Sequence, residues 1–167
     1  VAHPLIAAGV AKHSDFRKRA FKRLYRTMRL MSCVTFGSRK AASLAVQRIH
    51  QCHSSVQGEL RQPAGCHPSG RAYNANDPQL KLWVLATLID SSLCLYDLFV
   101  RPLSVEEKES YYQDSRRMGL LLGIASVRMP EDYCGFSSYL QMMISGRTLA
   151  VSAPARADTT RSVASEC

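Results

Sequence analysis

Apolar residues recur three and four positions apart along almost the whole chain, and convincing alternation with period two is absent. Side chains that repeat every 3.6 residues share one face of a helix, and such faces are buried by packing helix on helix. The pattern predicts an all-α fold, a single globin-like multi-helix bundle. With 167 residues, 46% hydrophobic and 21% charged, the chain is long and apolar enough to bury one real core. It opens on Val1 rather than Met, already in a helical pattern, which reads as a domain truncated at both ends.

Local signals divide this pattern into segments. "AHPLIAAGVAKH" reads as a short helix, and Ser14 and Asp15 follow it as stop-and-restart residues. From about Phe16 to Met31 a second helix places Phe21, Leu24, Tyr25, Met28 and Met31 on one side. Arg19, Lys22, Arg23, Arg26 and Arg29 lie on the other, with Thr27 where the faces meet. Phe36-Gly37-Ser38 breaks it, and Ser38 can cap a third helix with the stripe Ala42, Ala45, Val46, Ile49, His53 and Val56. At about 100° per residue, His53 falls near the middle of that stripe and His50 on its flank.

"GELRQPAGCHPSGRAYNANDP" reads as a loop from its glycines and prolines. Asp77-Pro78 supplies a cap and a first-turn proline for a helix running to about Phe99. Its apolar stretch "LWVLATLIDSSLCLYDLFV" carries Asp90 and Asp97, which favours a buried helix over a membrane span. Ser104 and Glu107 form a capping box for the next helix, and Gly123 ends it. A last apolar segment spans Phe136 to Ile144. The helical domain is thus expected over residues 1–145. The Ala/Ser/Thr/Arg-rich stretch 146–167, which has no stripe, is expected to be a disordered tail.

The net charge of +9 is unevenly placed. Residues 1–61 hold 12 Lys/Arg against Asp15 and Glu59, whereas the rest is nearly balanced. Such a half can serve nucleic acid, an anionic membrane surface or a bound anionic cofactor. No nucleic-acid reading motif accompanies the seven basic residues between Arg17 and Arg29. Six cysteines at irregular spacing, with no CxxC, read as small buried or part-buried hydrophobes in a reducing, intracellular compartment. His50, Cys52, His53, Cys66 and His67 could supply zinc ligands on paper. However, Cys52 points away from His50, and the spacing matches no standard zinc pattern. No G-x-S-x-G, P-loop or G-x-G-x-x-G occurs.

The motifs "AHPLIAAGVAKHSDF", "RLYRT", "HSSVQG", "YNANDPQLKLWVLATLIDS" and "RPLSVEEKESYYQD" occur in this order. Together they resemble the catalytic domain shared by latex-clearing (rubber) oxygenases and MpaB-type oxygenases, from about residue 2 to residue 143. The resemblance implies a helical protein that binds haem b through its iron. With dioxygen, it would cleave C=C bonds of an apolar, isoprenoid-like substrate. It also implies roles for particular residues. His53 matches the proximal haem ligand, and Arg23 and Thr27 match pocket residues that the haem needs. Arg26 falls where the rubber oxygenase has a lysine able to close over the distal side, which makes Arg26 and Thr27 the catalytic candidates. Two positions matter as departures. Leu85 stands where the family commonly has histidine, and the Arg26 guanidinium has no lone pair to offer a metal. Membrane association is expected only through a segment beyond this sequence. The alternative is a non-catalytic basic helical module that binds an anionic partner.

Overall fold

The computed structural model describes residues 3–13 and 16–150, without the side chains of residues 16–20 and of Arg23. Among these, six α-helices and one small two-stranded sheet make an all-α bundle. The helices are α1 (Pro4–His13), α2 (Phe16–Phe36), α3 (Arg39–Ser54), α4 (Pro78–Phe99), α5 (Val105–Leu121) and α6 (Tyr133–Ser145).

Capping chemistry sets most boundaries. The Ser38 hydroxyl accepts from Ala41 N at 3.3 Å and starts α3. Asp77 accepts from Gln79 N at 2.8 Å and starts α4, with Pro78 in the first turn. At α5 the expected box is complete: Ser104 Oγ accepts from Glu107 N, and the Glu107 carboxylate accepts from Ser104 N. Gly123 follows α5 with φ +79°, a left-handed conformation that suits glycine. α2 runs to Phe36, five residues past the expected end, because no breaker precedes Gly37.

The stretch expected as a loop holds a short antiparallel hairpin, β1 (Gln57–Glu59) with β2 (Ala72–Asn74), in which Gly58 is paired with Tyr73. The hairpin packs with α1 and closes a small core of Leu5, Leu60, Tyr73 and Leu80. The larger core lies among α4, α5 and α6, where Trp83, Leu85, Ile89, Tyr112, Ile124 and Phe136 interlock. Tyr112 buries its ring and still donates to Pro130 O at 2.7 Å, and burial raises its phenol pKa to about 12.

Four expectations need correction. The apolar side of α2 is exposed rather than buried: Phe21 is 89% exposed, and Leu24, Tyr25 and Met28 also face solvent. α2 packs mainly along α3, so nothing among the described residues covers that side. Cys66, Cys94 and Cys134 are exposed, and Cys33 and Cys52 are half-buried. α4 buries one face, but Val84, Leu88, Leu95 and Leu98 on it are exposed. By length and composition alone, α4 is long and apolar enough to cross a membrane. Finally, residues 146–150 are not a detached tail. Arg147 O accepts from Cys66 N at 3.1 Å, and Leu149 packs against the larger core. The remainder of the expected tail, 151–167, lies outside the described residues.

Candidate cofactor site

α2 and α3 are joined by only Gly37 and Ser38 and pack as an antiparallel hairpin. Both helices rise about 1.5 Å per residue, so His53, near the end of α3, stands level with residues 21–23 of α2. The α3 stripe that carries it is half-buried at Ala42, Val46, Ile49 and Val56 and fully buried at Ala45. His53 is half-buried, and its Nδ1 is buried with no hydrogen-bond partner among the described residues. Burial, then the nearby charges of Lys81 and His50, lower its pKa. At neutral pH this imidazole is therefore uncharged and can offer a lone pair.

Three elements converge beside it. Lys81, in the first turn of α4, donates from Nζ to Leu122 O at 3.1 Å, just past the end of α5. Burial lowers the pKa of this ammonium as well. Gly123 lets His50 and Lys81 pack close against this turn: a Cβ at that position would lie 3.3 Å from His50 Cε1 and 3.6 Å from Lys81 Nζ. The end of α3 is fixed by Ser54 Oγ, which donates to His50 O at 2.9 Å and accepts from Asn76 Nδ2 at 3.3 Å.

A separate groove of about 340 Å³ runs between α2 and α3, lined by Arg26, Arg29, Leu30, Cys33, Arg48 and Cys52 among others. Successive residues of a helix point about 100° apart. The groove therefore lies on the Cys52 flank of α3, turned away from His53.

The chain matches the family described as ER-bound oxygenase mpaB/B'/Rubber oxygenase, catalytic domain, over residues 1–164. It belongs to that family. The match continues well past Ile144, so it includes most of the stretch that the motif pattern left out. Uncharacterized proteins of Mycobacterium bovis and Mycobacterium tuberculosis are each 29% identical to it over 153 residues. These residues are 92% of this chain and 54% of each relative, so the chain spans about half the length of the curated relatives it matches. No solved structure matches the chain.

Within this mpaB/rubber oxygenase domain, the candidate residues are not all in one place. Thr27 is exposed on α2, Arg23 lies on the same helix with its side chain outside the description, and Arg26 lines the groove on the other flank. Leu85 is buried in the larger core, where its Cδ2 would stand 2.9 Å from a Cβ added at Gly119. Among the described residues no group of three or more His, Cys, Asp or Glu could hold a metal ion, and His67 stacks on His3 with ring centroids 5.4 Å apart rather than joining His53. Sequence reasoning missed Lys81 and the close packing of His50 on Gly123. The available signal was Lys81 itself, the one charge in the apolar first half of α4.

Proposed function

We propose that this chain is a haem-dependent oxygenase domain in which His53 holds the iron of haem b. With dioxygen, it would act on C=C bonds of an apolar, isoprenoid-like substrate. The observation that carries this reading is the His53 imidazole: uncharged, half-buried on a well-anchored helix, with a buried Nδ1 that has no partner among the described residues. Keeping a buried ring nitrogen in that state costs about 1–3 kcal/mol, so an imidazole is held here at a cost an apolar side chain would not carry, and its other ring nitrogen is the one left to meet the iron. Neutral imidazole is also the form in which histidine binds haem iron. The state of the His53 imidazole therefore suits a ligand to the group, while the described groove lies on the other flank of α3.

When bound, the haem supplies the redox chemistry with dioxygen, and the protein supplies ligand, cavity and access. His53 would hold the cofactor in place, while burial and the neighbouring Lys81 keep the imidazole unprotonated. Arg23, on the stretch of α2 level with His53, would carry a propionate, and Thr27 would contribute a hydroxyl one turn further along. Arg26 can only donate hydrogen bonds. It would act on substrate as a fixed cation and would need to turn from the groove to reach the distal side.

Haem reconstitution tests this reading. The wild-type chain should give a Soret band at close to one haem per protein, His53→Ala should abolish it, and His50→Ala should weaken it modestly or not at all. Full haem content with an unchanged Soret maximum in His53→Ala would move the ligand elsewhere.

One observation favours the alternative, a basic module for an anionic partner: three arginines and no carboxylate line the α2–α3 groove. On that reading no haem form is retained. Binding of an anionic partner would instead weaken with salt and with Arg26→Ala or Arg48→Ala.

A further inference from the structure

The groove between α2 and α3 changes character along its length. The two helices run antiparallel about Gly37 and Ser38, so each residue of α3 stands level with the α2 residue equally far from that turn. Arg48 is thus level with Thr27 and joins Arg26 and Arg29 within one helical turn, with Cys52 beyond them. Leu30, Ala45 and Leu44 come next, and Cys33 and Ala41 follow towards the turn. One end of the groove is cationic, and the end nearer the turn is apolar. Ala45 is buried there and Leu30, Cys33 and Ala41 are half-buried, so the apolar end has a floor.

Arg26 and Arg29 are three apart on one helix, where like charges repel, and Arg48 adds a third charge from across the groove. No carboxylate lines the groove, and no ion pair among the described residues reaches these arginines. An anion held between them would relieve that repulsion, and the guanidinium fork meets phosphate oxygens two at a time. A phosphate monoester, with a charge of about −1.5 to −2 at pH 7, answers three arginines better than a single carboxylate. We propose that this groove binds a single-chain amphiphile with a phosphate head, its head among Arg26, Arg29 and Arg48 and its chain along Leu30, Leu44 and Ala45. The proposal deepens the reading of the groove as an anion site by naming its ligand. It needs no haem, since the groove lies on the flank of α3 turned away from His53. From Arg26 to the level of Ala41 is about 12 Å, which suits a chain of medium length. The groove's volume of about 340 Å³ stands at the small end of the range for ligand pockets, about 300–1,000 Å³.

Calorimetric titration of the full chain with decyl phosphate below its micellar range, inorganic phosphate and decanol tests this. Decyl phosphate should bind at least about tenfold more tightly than inorganic phosphate, a margin that burial of two methylenes supplies. It should also bind about tenfold more tightly than decanol, the scale of one charge-assisted hydrogen bond. Arg48→Gln and Arg29→Gln should each weaken decyl phosphate by a similar factor, and both sites are exposed, so folding should be undisturbed. Leu44→Gln should erode the margin over inorganic phosphate and leave inorganic phosphate binding unchanged. Phe21→Ser, on the exposed apolar side of α2, should leave all three ligands unaffected. If it removes decyl phosphate binding instead, the ligand lies on that side and the groove assignment is wrong. Equal binding of the two phosphates, weakened by Arg48→Gln, would overturn the amphiphile and leave the anion reading intact. If neither phosphate binds, both fall.

Discussion

His3 is 4% exposed and sits against His67, and burial, followed by that neighbour, lowers its pKa from 6.5 to about 4. The unfolded chain takes up this proton below pH 6.5 and the folded chain only near 4. Stability from His3 is therefore complete above pH 6.5 and lost progressively as pH falls toward 4. Urea midpoints measured across that window should decline, and His3→Phe should flatten part of the decline; an unchanged slope would mean that His3 titrates normally. A second residue-scale prediction concerns Leu85, 3% exposed in the larger core. Introducing a histidine there, Leu85→His, buries an imidazole among Ala86, Tyr112, Met129 and Phe136. It should lower stability by about 1–3 kcal/mol in denaturant titration and leave haem content unchanged relative to folded protein.

The helices were legible because their ends are written in short-range chemistry. Ser38, Asp77-Pro78 and the Ser104/Glu107 box each act within three residues, so a single sequence exposes them. Ser104→Ala should accordingly cost about 1 kcal/mol in thermal unfolding. The β1–β2 hairpin was not legible, since three residues per strand are too few to show alternation. His53 could be found from its stripe. Its neighbours could not, because Lys81 and Gly123 meet His50 only through tertiary packing across dozens of residues. Gly123 read as a helix stop, and its second role, letting the His50 ring pack close against the turn, has no local signature. Gly123→Ala should destabilise by about 1 kcal/mol from its left-handed backbone alone and should also weaken haem retention. A destabilised variant with unaltered haem affinity would separate the two roles.

Across the whole molecule the burial is lopsided: α4, α5 and α6 share one core, while α2 leans chiefly on α3 and leaves Phe21, Leu24, Tyr25 and Met28 in solvent. An apolar face of this kind is a site of association. Sedimentation of the isolated chain should show concentration-dependent self-association, reduced by Phe21→Ser with Leu24→Ser. A strictly monomeric wild type would count against that role. The same lopsidedness bears on dynamics. Loosely joined units open separately, and amide hydrogen exchange reads their free energies one by one. α2 and α3 should exchange in a faster, sub-global step than α5 and α6. A ligand held by His53 would then steady the less stable unit, and its arrival should slow α3 exchange most, drawing the two unfolding events together.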